Sequence, residues 1–353
     1  MLQNTKKSRA ALDSLIKKSR VHLYKPIQIA EILFYSRTKE SIDLKDLESY
    51  RNVSKKWRDI VSVRLVGRKS TSSQKYQDNI FEANAMPPEA LYVLEITNRN
   101  SKGLVEAYIY KSLEKRLDSV REVEKYIKNT APDNFSLKYL ISLFIENPGL
   151  RRSVDKMYEI TVYALFSSII RVLGLQISLE IQNKDTKILA DFEDFIKTVI
   201  GSNAQKSKIV LPAALFRVGV TNAADRGLDM WSNFGPAIQV KHLTLNPDLV
   251  EEIADSITAD KIVVVCISSE KQLIEALLKQ VGWGSRIQGI VTLEDLDRWY
   301  KLCLEHEKYE MSKNILKDLQ REFEAEFPSS SELAPFLKER GYDKITFPNE
   351  WKV

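Results

Sequence analysis

The sequence predicts a mixed α/β (α+β) protein. A central sheet, partly antiparallel and partly parallel, is flanked by helices and preceded by a mainly helical N-terminal region. Three observations predict it. Residues 1–130 place their apolar side chains mostly at helical spacing. From Gly227 onward, short apolar runs alternate with helical stretches, as strands and covering helices do. A chain of 353 residues that is 44% hydrophobic can bury a sizeable core and form more than one domain.

In chain order, residues 1–25 set Lys6, Lys7, Arg9, Lys17, Lys18, Arg20 and Lys25 against Asp13. Transit peptides share this basic, Ser-containing character, but an ordinary basic helix is expected, with no apolar stretch of signal-peptide type. Pro26 opens PIQIAEILFYSR, a helix with proline in its first turn. The polar stretch Val66–Asn79 is expected to be a loop, Ala90–Thr97 (ALYVLEIT) a strand, and the run after Gly103 a long helix. Asn147-Pro148-Gly149 signals a turn. The run VDKMYEITVYALFSSIIRVLG then reads as a helix stopped at Gly174.

LQISLEI is a strand candidate, followed by a helix around Ala190–Thr198 and the extended KIVLPAALFRVGV. GLDMW and AIQVKHL read as strands around the turn SNFGP. NPDLVEEIADSI is a helix with Asn246 as its cap and Pro247 at its first position, which explains the Pro247-Asp248 pair without catalysis. KIVVVCIS is a buried strand, SEKQLIEALLKQVG a helix, RIQGIVT a strand and LEDLDRWYKLCLEH a helix. The mixed-charge tail from Glu305 to Arg340 looks like a solvated helix. The expected division is a mainly helical region over 1–148, a candidate recognition part, a mixed α/β core over 149–310 and a helical tail over 311–353.

Composition narrows the function. Twelve Gly and 11 Pro exclude collagen-like and low-complexity classes. Cys266 and Cys303 are too few for a disulfide scaffold, and three scattered histidines argue against a poly-His metal site. No apolar run is long enough to cross a bilayer, so no membrane partner and a cytoplasmic setting are expected. A net charge of +5 permits a polyanionic partner without demanding one. GxGxxG, Walker A, HExxH, CxxC and GxSxG motifs are all absent.

One segment stands apart: Asp229, nine residues, then Gln239-x-Lys241. In a strand, side chains two apart share a face, so Gln239 and Lys241 point the same way. The turn at Ser232–Pro236 brings Asp229 back beside them. Asp229, the Gln239 side-chain oxygen and the Val240 carbonyl can then hold a hard cation such as Mg²⁺. Lys241 can orient or deprotonate a water and stabilise charge on a phosphate. The bare spacing also fits an edge hairpin whose lysine faces solvent.

Glu159, on the preceding helix with Met157, Ile160, Val162 and Leu165 turned to the core, is a candidate to complete the site. Asp225 is the alternative, and a local helix ion pair is an equally good account of Glu159. His242 is expected to be structural. Trp231 shares the face of Asp229 and suits either cleft or core. In Val66–Asn79 and just before it, Arg64, Arg68, Lys69 and Lys75 are candidates for contacting a phosphate backbone, and a solvated loop is an equally good account of that stretch.

The stretch GLDMW…GPAIQVKHL resembles the Gln-x-Lys variant of the PD-(D/E)xK nuclease superfamily, with Asp229 as first acid, Gln239 in place of the second, Lys241 as the lysine and Glu159 as the helix acid. Together with ALDSLIKKSRVHLYKPIQIAEILFYSR and KMYEITVYALFSSII, it also resembles the HaeII family of type II restriction endonucleases, over nearly the full length. The resemblance implies Mg²⁺-dependent cleavage of double-stranded DNA at a short palindrome with a GCGC core, by a homodimer. It also implies a cognate DNA methyltransferase as functional partner. A modification-dependent or repair nuclease on the same fold, or a non-catalytic DNA-binding protein, are the alternatives.

Overall fold

The computed structural model describes residues 2–39, 42–70, 78–203, 208–218, 228–246, 248–249, 252–253, 257, 259–269, 286–306, 311–328 and 330–352. The N-terminal part is helical: α1 (Leu2–Lys18), α2 (Tyr24–Lys39), α3 (Val53–Val66), α4 (Pro88–Asn100), α5 (Leu104–Asn129) and α6 (Leu137–Glu146). The strand expected over Ala90–Thr97 is instead the body of α4. Tyr92, Val93, Ile96 and Thr97 favour strands, but the buried side chains are Leu91, Leu94, Glu95 and Asn98, spaced three, one and three apart along one helical face. Pro88, with φ already helical, starts the helix. Asn98 then accepts hydrogen bonds from the free Val105 and Glu106 amides at the start of α5.

The expected helix ending near Gly174 is α7 (Val154–Val172), and Gly174 follows with φ +60°. Met157, Ile160, Val162 and Leu165 are buried, as expected. Beyond it come β1 (Gln176–Glu180), α8 (Thr186–Asp191) and β2 (Lys208–Pro212), with β1 and β2 forming a separate antiparallel ribbon. The main sheet follows: β3 (Leu215–Arg217), β4 (Met230–Ser232), β5 (Ala237–Leu245), β6 (Ile262–Ser269) and β7 (Ile287–Val291), in that spatial order. β3, β4 and β5 are antiparallel neighbours, whereas β5, β6 and β7 run parallel.

The parallel half requires crossovers. Between β5 and β6, Asn246 caps the amide of Leu249, and Asp248, Leu249, Glu252 and Ile253 are helical, as expected. The helix expected over Ser269–Gly282 lies outside the described residues apart from its first residue. α9 (Leu293–Glu305), α10 (Met311–Glu326) and α11 (Leu333–Glu339) complete the chain. The mixed α/β class, with a mixed sheet behind a helical N-terminal region, is therefore borne out, and it is a nuclease-like arrangement.

Apolar periodicity decides how the sheet is covered. Met230, Ile238 and Val265 join the main core with the inner face of α7, α9 and most of the N-terminal helices, and Val240 packs against it. Ala237, Val264 and Cys266 point the other way, into a smaller cluster with Ile253 and Ile257. Tyr158 in α7 donates its hydroxyl to the Cys266 carbonyl at 2.8 Å, and Tyr300 in α9 donates to the Thr161 carbonyl at 3.1 Å. These bonds fix α7 against the sheet. The tail is not simply solvated: α10 buries Met311, Ile315, Leu319 and Phe323, four residues apart, against α7 and the main core.

Candidate active site

The site forms where one strand ladder stops short. β4 pairs with β5 at Trp231–Ala237 and Met230–Ile238, and no further. The next amide of β5 that faces β4 belongs to Val240. It donates to the carboxylate of Asp229 (Oδ2) at 2.8 Å, so a side chain takes the place of the missing strand. Gln239 Nε2 donates to the same oxygen at 2.7 Å. The turn that makes this approach possible runs through Gly235 at φ +125°, a backbone region that side-chain-bearing residues rarely adopt, and Ser232 Oγ closes it by donating to the Pro236 carbonyl at 2.8 Å.

Three oxygens converge in consequence. The amide and carbonyl of one strand residue point to the same side, so the Val240 carbonyl also faces Asp229. Gln239 is 3% exposed, and with its nitrogen committed to Asp229, its Oε1 is a buried acceptor with no hydrogen-bond partner. An uncompensated buried amide oxygen is costly and calls for a hydrogen-bond donor, such as a water, or a cation. No group of three or more His, Cys, Asp or Glu side chains poised for a metal occurs among the described residues. A cation here would therefore rely on one carboxylate, one amide oxygen and a main-chain carbonyl, a hard-oxygen set that fits Mg²⁺.

Glu159 approaches from α7. It is 3% exposed and closely paired with Lys156, one turn earlier on the helix. Arg217 Nη1, from β3, lies 3.4 Å from its Oε1 and 3.1 Å from Glu326 Oε2 of α10. Burial pushes the Glu159 carboxyl up to about 7, against the pull of Lys156, and the charge of Asp229 adds to the rise. Burial also raises Asp229 above the usual carboxylate range, opposed by the Val240 amide and the charges of Lys156 and Lys241. Both acids are thus partly withdrawn from solvent, and the charge of Asp229 is felt at Glu159.

Lys241 is half-buried on β5, and the β5–β6 register shifts immediately after it. Such a bulge re-aims the side chains around it. His242 is half-buried, and burial lowers its pKa. Trp231 is 45% exposed and stacks on Phe216 with ring centroids 4.3 Å apart, so it is no core residue. Asp225 lies outside the described residues.

The candidates for contacting DNA fare unequally. Arg64 pairs with Glu339 at 2.7 Å and Glu332 at 3.3 Å. Arg68 donates to the Glu326 carbonyl and lies 3.7 Å from its carboxylate. Lys69 is exposed. Lys75 lies outside the described residues. Sequence reasoning missed Lys156 and Arg217. The first was detectable as a lysine three residues before Glu159 on one helix face, whereas nothing local marks Arg217.

The family model of the HaeII restriction endonuclease matches residues 8–342. The chain is 48% identical over 340 residues to the type II restriction enzyme HaeII of Haemophilus aegyptius, covering 96% of this chain and 97% of that protein. It is likewise 48% identical over 346 residues to the type II restriction enzyme NgoBI of Neisseria gonorrhoeae, covering 97% of this chain and 98% of that one.

Proposed function

The chain belongs to the HaeII restriction endonuclease family and is a type II restriction endonuclease; from that premise we propose that it hydrolyses phosphodiester bonds at a short, GCGC-centred palindrome in double-stranded DNA, with Mg²⁺ as cofactor and as a homodimer. A DNA methyltransferase protecting the same site is its functional partner in this proposal. The observation that carries the metal and the site is the convergence of the Asp229 carboxylate, the orphaned Gln239 Oε1 and the main chain of Val240. This is the Gln-x-Lys form of a PD-(D/E)xK centre.

The residues divide the work. Asp229, Gln239 and the Val240 carbonyl hold the cation, and Glu159 adds a second carboxylate from α7. When bound, Mg²⁺ neutralises charge on the scissile phosphate and makes a neighbouring water more acidic. Lys241 donates to the attacking water and the phosphate oxygens, orienting the one and stabilising charge on the other. Lys156 and Arg217 keep the Glu159 carboxylate in place. Lys69 is a phosphate contact. Arg64 and Arg68 reach DNA only by leaving Glu332, Glu339 and Glu326.

The deciding test is digestion of an unmethylated plasmid rich in GCGC sites by wild type and Lys241→Ala, each with Mg²⁺ and with EDTA. Discrete bands from wild type with Mg²⁺ alone are expected, and sequencing the ends gives the site. Uncut plasmid in every lane, with folded protein by circular dichroism, would overturn the proposal and favour a DNA-binding protein without catalysis.

A further inference from the structure

Between the helix that carries Glu159 and the first strand of the main sheet, the described residues 173–203 and 208–212 stand apart from the main core. Half of the large hydrophobic side chains exposed among the described residues, ten of twenty, fall between Leu173 and Leu211. Of the described residues in this segment, none joins either hydrophobic cluster, and Ile196 is the one buried hydrophobic side chain among them. That distribution is not the scatter of single apolar residues normal on a soluble protein.

The exposed side chains are also patterned. In the ribbon, Ile177 faces Leu211 and Leu179 faces Ile209, so one face is aliphatic throughout. The other face mixes Gln176, Ser178, Glu180 and Lys208 with Val210 and Pro212. In the helical stretch between the strands, Ile188, Phe192, Phe195 and Val199 recur at intervals of four, three and four. This is the seam spacing of packed helices. Here the seam is bare: Phe192 is 59%, Phe195 54% and Val199 65% exposed. A two-stranded ribbon is marginal in water without a further layer.

We propose that residues 173–212 are a dimerisation arm, covered by the same arm of a second copy of this chain. Charge argues for protein rather than DNA as the occupant. The arm holds five lysines and no arginine against five acids, so it offers no net attraction to phosphates. Area argues for a stable partner. Ten side chains of this size, about half exposed, present on the order of 1,000 Å² per copy, against about 800 Å² per partner in a standard interface. Symmetry argues for a second copy. A twofold site needs a twofold enzyme, whose interface uses the same patch on both subunits. This last argument rests on the proposed cleavage of a palindrome. The arm also meets the site directly: Asn233, in the turn between β4 and β5, accepts from the Ala214 amide at 2.8 Å and donates to the Pro212 carbonyl at 3.1 Å.

The test is sedimentation equilibrium of the full-length protein in EDTA, without DNA, over a concentration series. Wild type is expected to be a dimer. Phe192→Glu with Phe195→Glu is expected to weaken the dimer at least 100-fold with an unchanged circular dichroism spectrum. Ile60→Glu, a control at an exposed apolar residue on α3, is expected to leave it intact. A monomeric wild type overturns the proposal, as does a dimer that the arm variant leaves intact or one that Ile60→Glu disrupts. A monomeric wild type whose arm variant loses affinity for a DNA duplex would assign the face to DNA instead. Because mass is read without metal or substrate, a dimer that cuts nothing would refute the nuclease mechanism and leave the arm standing.

Discussion

Two antiparallel ribbons built by similar rules end in opposite environments. The start of β5, Ala237–Gln239, is buried between the main core and the smaller cluster around Ile253, and Gln239 and Ser232 are held by Asp229 and the Pro236 carbonyl. β1 and β2 show both faces to solvent. Burial leaves the first ribbon with an unsatisfied polar group. Removed from water, Asp229 and Glu159 hold their protons more tightly than free carboxylates, and Gln239 keeps an acceptor with nothing to accept from. The second ribbon has no such tension. Its unspent term is hydrophobic area, which only another surface can remove. On the proposed reading, chemistry and assembly sit on neighbouring hairpins and should be separable by mutation.

The largest expected effect falls on the buried hairpin. Lys241→Ala should lower the cleavage rate by about 10²–10³-fold, the scale on which a charge-stabilising donor acts. Because Lys241 is half-exposed, folding stability should change by less than about 1 kcal/mol. Single-turnover cleavage together with a urea titration measures both. A variant that lost stability as strongly as activity would make Lys241 structural and erase the contrast between the two ribbons.

Gln239→Glu sharpens the contrast on the same strand. The substitution removes the amide donor to Asp229 and sets a second carboxylate against the first. In EDTA the protein should lose about 1–3 kcal/mol. Added Mg²⁺ should restore more thermal stability to the variant than it gives to wild type, since a ligand that binds only the folded state stabilises in proportion to its affinity. Equal Mg²⁺ responses would remove Gln239 from the cation site.

How much of this was legible without coordinates follows from distance along the chain. Asp229, Gln239 and Lys241 are joined by one turn, so strand alternation and the Gly235 bend suffice to bring them together. The mixed sheet was legible for the same reason: each strand announces itself by its own composition. Ala90–Thr97 was misread because side-chain type and side-chain spacing disagreed there, and burial on α4 settled it in favour of spacing. Glu159 could be placed on a helix but not against Asp229, seventy residues away, and its partner Arg217 has no local signature at all. The arm was illegible in a different way. Apolar residues in a sequence imply burial somewhere, and only the fold shows that the described residues of this chain do not provide it.

A smaller effect comes from pH. With its carboxyl raised to about 7, Glu159 is protonated through mildly acidic conditions in the metal-free protein. Protons then compete with the cation, so Mg²⁺ affinity should fall by up to about tenfold per unit below pH 7 and level off above it. The sign for stability is opposite. A carboxyl raised from 4.5 favours folding fully below that value, and this contribution is lost as pH rises through about 7. Glu159→Gln should flatten both curves, which calorimetric Mg²⁺ titration and melting in EDTA would reveal. An unflattened binding curve would assign the titration to Asp229 alone.

The smallest effects separate exposed cations already held by the protein from those left to a ligand. Arg64 sits in surface ion pairs with Glu332 and Glu339, and such pairs contribute about 0–1 kcal/mol. If those glutamates keep it, Arg64→Ala should barely change stability and leave the salt dependence of DNA binding unchanged. Lys69 is exposed on the loop that follows α3. If it touches phosphate, Lys69→Ala should lower the slope of log affinity against log salt by about one. Binding of a cognate and a scrambled duplex across a salt series, in Ca²⁺ to avoid cutting, reads both variants at once. A lowered slope for Arg64→Ala would mean that its glutamate pairs open on DNA, and a loss confined to the cognate duplex would make it a base reader. Either result would place recognition on the helical N-terminal region, away from both ribbons.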